Sequence, residues 1–330
     1  MNTSMRSSLK IFLIVFFLIT AVFVRNSLSQ EHFPNRPLTM IGGFTAGLTD
    51  TLIRSICKAA GEILGQPYII EVKAGAAGLS CVNYVLKSKP DGYTIGVTGP
   101  STYITLPHMM EVPYNPFTDI TEICSIWQYN FGLCVRSDSP FKTYEDIIAY
   151  SKKNPGKFTY ATPGVGMTQH ICMERMAAKE GIKWTAIPTK SGGESVLQVL
   201  GGHVNACAPG TIDINPHIKA GTLRMLLILD DRPRPEFPNV PLISEKGYNF
   251  SAFSHGSFLG PAGMPEPRRQ KLEDTFKEAM KDPSFTKLCE TFQVDPTFMT
   301  GKKYREMWTS QYDDMGKAIR AMGLGKEQKK

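Results

Sequence analysis

The chain has 330 residues, 42% hydrophobic and 20% charged, and a formal net charge of +7. The basic residues are dispersed, with no tract interleaved with aromatics, which excludes nucleic acid as an expected partner. Cys57, Cys81, Cys124, Cys134, Cys172, Cys207 and Cys289 form no CxxC pair and no metal spacing with histidine. GxSxG and HExxH signatures are also lacking, so no metal, cofactor or activated nucleophile is expected.

Arg6 and Lys10 precede an apolar run over 11–24, followed by Ser27-Leu28-Ser29. That pattern is a secretory signal peptide over 1–29, and the run is short of the roughly 20 residues that span a bilayer. No cysteine lies near the cut, so no lipid-modified N-terminus is expected. Losing Arg6, Lys10 and Arg25 takes the formal charge from +7 to +4. The remaining length suits two medium domains.

Residues 37–41 read as a strand, 42–49 as a loop and 50–64 as a helix with Leu52, Ile56, Ala59, Ala60 and Ile63 on one side. Asp50 is the expected cap of that helix and Gly65 its stop. Residues 67–72 form the next strand, Gly75 to Gly78 open a helix to Lys87, and 93–97 return as a third strand. A Pro-rich stretch over 107–117 precedes one long β-like segment over 123–135 and a helix over 144–153. Residues 158–161 lead into a Gly-rich loop and a helix over about 168–179. Further units run through Ile187, 195–200, 204–208 and 223–229; a strand near 257–259 precedes helices over 267–281, 285–292 and 302–322. Such alternation predicts α/β units with parallel sheets. Cysteines set among apolar residues, such as Cys207 within 204–208, read as buried small hydrophobes.

Two Gly-containing loops, over 42–49 and 162–167, each follow a strand and precede a helix. Free backbone N–H groups and the positive helix end there suit an anion. Each loop taken alone is equally an ordinary strand-to-helix turn, and neither matches a nucleotide-binding pattern.

Several motifs fall in a family order: 42–50, Lys89-Pro-Asp-Gly-Tyr-Thr94, Asn154-Pro-Gly-Lys157 with Tyr160-Ala161, Gly201-Gly202 before Pro216-His-Ile-Lys-Ala-Gly221, and Gly260-Pro-Ala-Gly-Met-Pro265. With them the chain resembles the periplasmic substrate-binding component of tripartite tricarboxylate transporters, the Bug proteins. The resemblance implies a type 2 periplasmic-binding-protein fold: two α/β domains, 33–131 plus 255–330 and 132–254, with a ligand cleft between them. It implies a monomeric, non-enzymatic receptor that captures a small carboxylate by domain closure and delivers it to membrane permease subunits. The ligand-binding residues it implies are Phe44, Thr45, Ala46, Gly47 and Leu48 in the first loop, with Thr98, Ser101 and Thr102 after the third strand. In the second domain they are Gly164, Val165, Gly166, Met167, Thr168 and His170, then Thr189, Lys190 and, on the neighbouring loop, Pro209.

The chain departs from the family's pattern at Gly43, where Pro is usual, and at Leu48, where Gly is usual. Met167 and Gln169 replace small polar residues. At Pro209 the family often carries Asp, which implies here a ligand without an amino group. A sensor subunit binding the same solute fits the sequence equally, and an exported hydrolase fits it less.

Overall fold

The computed structural model describes residues 33–44 and 47–328. The signal-peptide reading over 1–29 and the loop residues Thr45 and Ala46 lie outside the described residues. Residues 37–330 make one compact unit, to which everything below refers.

Two mixed sheets organise it, as the α/β reading expects. The first has the order β11(Met299–Thr300), β4(Ile120–Asn130), β10(Phe253–Pro261), β3(Thr94–Thr98), β1(Leu38–Gly42), β2(Tyr68–Val72). The second has the order β7(Thr185–Thr189), β6(Thr159–Pro163), β8(Ala206–Cys207), β5(Gly132–Arg136), β9(Leu223–Ile228). β1 pairs in parallel with β2 and β3, and β6 with β7 and β8. Central parallel strands covered on both faces are apolar throughout, as Leu38, Met40 and Ile41 are.

Helix α1(Leu48–Leu64) buries Leu52, Ile53, Ile56, Cys57, Ala60 and Leu64 at helical spacing. It stops at Gly65, whose φ of 69° is left-handed and favours glycine. After it come α2(Leu79–Leu86), the short α3(Ser101–Ile104) and α4(Leu106–Met109), and α5(Tyr144–Lys153). The second sheet carries α6(Thr168–Glu180), α7(Gly192–Leu200) and α8(Thr211–Lys219); the C-terminal part adds α9(Glu266–Ala279), α10(Pro283–Phe292) and α11(Gly301–Ala321). α11 sets Tyr304, Trp308 and Ile319 into one apolar cluster with Tyr103 and Ile104. Buried Glu122 anchors it, accepting from Arg305 Nε and Trp308 Nε1, both at 3.0 Å. All seven cysteines are free and buried, as small hydrophobes should be.

Two expectations need correction. The segment over 123–135 is two strands in two sheets, because the chain leaves the first sheet at Asn130 and enters the second at Gly132. The Pro-rich stretch begins within helical turns, since Pro107 sits in the first turn of α4, where its missing N–H costs nothing. α8 lies where no element was expected, and it tolerates Pro216 within it.

The passage at 130–132 lies beside the return connection: Leu229 N–H donates to Phe131 O at 2.9 Å, and Asn130 registers with Phe253. Just before it, the β4–β10 register shifts between His255 and Ser257. Gly256 sits at that irregularity, and a Cβ there would overlap the buried Trp127 ring, falling 2.5 Å from Cδ2. Gly256→Ala is therefore expected to lower stability by about 1–3 kcal/mol through overpacking. Equilibrium urea unfolding checks this, and an unchanged midpoint would mean the strands separate freely at this point.

Candidate ligand-binding site

In open parallel sheets the loops beyond the carboxyl ends of the strands hold ligands. Here those loops follow β1, β2 and β3 in one sheet and β6, β7 and β8 in the other. Close contacts bind them together. A Cβ on Gly43 would lie 3.3 Å from Thr98 Oγ1, and one on Gly78 would overlap that oxygen and meet Thr102 Cγ2 at 3.0 Å. Gly78, at φ 96°, is thus required by both space and conformation.

Two bridges join loops of the two sheets. On one side Ser101 Oγ donates to Met167 Sδ at 3.7 Å, and the Thr105 hydroxyl donates to the Gly166 carbonyl. Leu106 and Met109 fill the space that a Gly166 side chain would need. On the other side the Tyr129 hydroxyl stands near Thr49 and Ser254, while its ring packs on Gly210. Ser254 in turn faces Gly99, 3.5 Å from where a Cβ would stand.

α1 at Gly47, α6 at Met167 and α8 at Gly210 open at this place without a capping side chain, as do the shorter α2 at Gly78 and α3 at Pro100. Asp50, expected to cap α1, is instead its third residue and bonds Arg54 Nε at 2.7 Å, so the first turn has no side-chain acceptor. α7 differs, because Ser191 accepts from Glu194 N–H at 3.1 Å and caps it. The first-turn amides of α1, α6 and α8 therefore have no partner from a capping side chain, which leaves donors that suit an anion.

The sequence-derived residues divide by employment. Phe44 and Leu48 are half-buried and Gly47 is exposed, beside the α1 opening. Thr98, Ser101 and Thr102 are buried beneath it, and Thr102 Oγ1 donates to Gly99 O at 3.1 Å. In the second loop Val165 is exposed, whereas Gly164 N–H donates to Thr162 O at 2.8 Å and Gly166 N–H to His170 Nδ1 at 3.3 Å. Those two amides hold the loop's own shape. Thr168 is buried, and its neighbour Gln169 is wholly buried with neither amide atom hydrogen-bonded among the described residues. Thr189 Oγ1 lies 2.6 Å from Ser195 Oγ and also bonds the carbonyls of Thr162 and Ser191. Lys190 is exposed. Pro209 is buried, its carbonyl accepting from Gly132 N–H at 3.4 Å beside the passage between sheets.

Tyr129, Ser254, Thr49, Gly78 and Asp213 were not legible as site residues. Tyr129 lay within a continuous β-like run, and α8, which carries Asp213, was not assigned as an element. Two open hollows of about 430 and 500 Å³ lie elsewhere, flanking α1, one beside Ile63, Pro267 and Thr275 and the other beside Cys57, Pro67 and Tyr68, away from the carboxyl ends of the strands.

Burial pulls the His170 pKa down to about 4, so the ring is neutral near pH 7 and accepts the Gly166 amide. An unfolded histidine titrates near 6.5, so between about pH 6.5 and 4 only the unfolded chain takes the proton. Stability from His170 is complete above that window and declines as pH falls through it. Relative to His170→Gln, wild type should lose up to about 1.4 kcal/mol per pH unit between about pH 6 and 5. A pH-independent gap between their unfolding free energies would contradict a neutral, loop-holding His170.

The profile of the tripartite tricarboxylate transporter family receptor matches residues 52–324. A Cupriavidus necator protein described as "UPF0065 protein in gbd 5'region" is 36% identical over 299 residues, covering 90% of this chain and 91% of its own. An R. palustris protein solved with adipate superposes with a TM-score of 0.81 at 24% identity, covering 89% of this chain and 99% of its own. MatC from Rhodopseudomonas palustris, solved with bound malate, gives 0.78 at 21% identity over 87% of this chain and 100% of its own. With the family profile spanning most of the chain, and a fold shared with periplasmic binding proteins, the chain belongs to the tripartite tricarboxylate transporter receptor family.

Proposed function

We propose that the chain is an exported receptor that captures a small organic carboxylate between two domains, 33–131 with 255–330 and 132–254. It delivers the solute unchanged to the permease subunits of a tripartite tricarboxylate transporter. Its leader is removed after Ser29, and it works as a periplasmic monomer. The observation that carries this reading is the meeting of three uncapped helix starts, α1, α6 and α8, beside buried hydroxyls at the strand ends of both sheets. The adipate and malate held by the two R. palustris proteins support the ligand class.

The energetics fit a carrier. Each helix start favours an anion by about 0.3–2 kcal/mol. Each hydrogen bond to a charged group adds about 1.5–3 kcal/mol. A few such bonds reach the roughly 8 kcal/mol of micromolar binding, tight enough to scavenge and weak enough to release. Because the contacts come from both sheets, only a closed arrangement makes them all, and the ligand stabilises closure by that difference.

A thermal-shift screen of residues 30–330 with succinate, malate, adipate and citrate tests the reading, since a ligand of the native state raises its melting temperature. At least one acid should stabilise the protein, and Gly47→Asp, which puts a negative side chain at the start of α1, should abolish the shift. Near-normal affinity in Gly47→Asp would remove the first loop from the site.

A further inference from the structure

We propose that Asp213 sets the specificity of this site by requiring a hydrogen-bond donor, a hydroxyl or an ammonium group, next to one ligand carboxylate. The inference rests on the carboxylate-binding reading above and names a feature of its solute. Asp213 is the third residue of α8, the helix that starts uncapped at Gly210 against the ring of Tyr129. Its side chain extends sideways to the start of α7. A Cβ on Gly192 would overlap Oδ2 and lie 2.5 Å from Cγ, so a glycine stands there because the carboxylate occupies the space.

Asp213 is half-buried, and among the described residues no side chain or backbone group donates a hydrogen bond to its carboxylate and no cation pairs with it. The neighbouring acid Glu194, by contrast, accepts from Lys190 N–H at 2.9 Å. A half-buried carboxylate without a donor is costly in its charged form. Consistent with that, burial pushes the Asp213 carboxyl up to about 7. It stands on the first turn of α8, beside one set of the uncapped amides. An anionic ligand that presents only carboxylate oxygens or methylenes toward Asp213 meets repulsion or an unsatisfied acceptor, whereas a hydroxyl or ammonium completes it.

The sequence departure at Pro209 takes a different meaning in this light. The acid that the family often carries at that position is absent, but Asp213 returns one four residues later, at the first turn of α8. The ligand without an amino group expected from Pro209 alone is therefore replaced by one that carries a donor.

The test is calorimetric titration of residues 30–330 at about pH 8, where Asp213 is ionised, with matched acids: succinate against malate and aspartate, and glutarate against 2-hydroxyglutarate and glutamate. In at least one series the donor-bearing acid should bind about tenfold or more tightly than its plain counterpart. Asp213→Ala should bring the members of that series to within about threefold, and Asp213→Asn, which keeps the shape and removes the charge, decides the matter if the alanine variant fails to fold. Equal affinities within both series in wild type, or a preference that persists without the Asp213 charge, would overturn the inference while leaving the carboxylate site standing. Binding of none of the acids would overturn the carboxylate reading, and this inference with it.

Discussion

A helix leaves its first backbone N–H groups without partners, and what supplies those partners decides what the helix end is for. In this protein α5 has its capping box of Thr143 and Asp146, α10 has Asp282 and α11 has Thr300, all conventional side-chain solutions. α1, α6 and α8 have none, and each starts beyond the carboxyl end of a strand with a parallel partner. At those ends the candidate site is a matter of backbone supply rather than of any single reactive side chain. It also explains why the glycines there are of different kinds. Gly43 and Gly78 let loops press against Thr98, while Gly192 yields its side-chain space to Asp213.

The remainder of the fold holds those ends in register. Tyr129 stands between the first turn of α1 and β10, near Thr49 and Ser254, and packs on the start of α8. Tyr129 comes from β4, the strand that leads into the second sheet through Phe131, so the element that makes the crossing also lines the site. Beneath it the Tyr103 hydroxyl meets Ser257 Oγ at 3.0 Å, and the Tyr114 hydroxyl donates to Thr102 O at 2.7 Å, fixing α3 against the first sheet. Buried polar pairs of this sort favour one arrangement over near alternatives. The irregularity at Gly256 lies in the same strands.

Much of the architecture was legible because its signals are local. The spacing of Leu52, Ile56 and Ala60 with the stop at Gly65 gives α1 within two residues at its start. The three C-terminal helices follow equally from their apolar periodicity and flanking prolines. The division of 120–136 between two sheets was not legible, because a continuous β-like run does not mark where its partners change. α8 was not assigned, because Pro216 interrupts its helical pattern. Losing it hid Asp213. Site residues named through family motifs sit on loops at the strand ends of both sheets, yet hydrogen-bond employment is a three-dimensional property. Only the structure separates Gly166, whose N–H serves His170, from helix starts that no side chain caps.

The central claim, that uncapped amides of both sheets share one anion, is tested most directly by backbone-amide NMR of the chain lacking residues 1–29 as malate is added. The largest shifts should fall together on Gly47 and Leu48, on Met167 and Thr168, and on Gly210 and Thr211, saturating along one binding curve. Shifts confined to a single sheet, or centred on the surface of α9 and α10, would contradict a shared site between the strand ends.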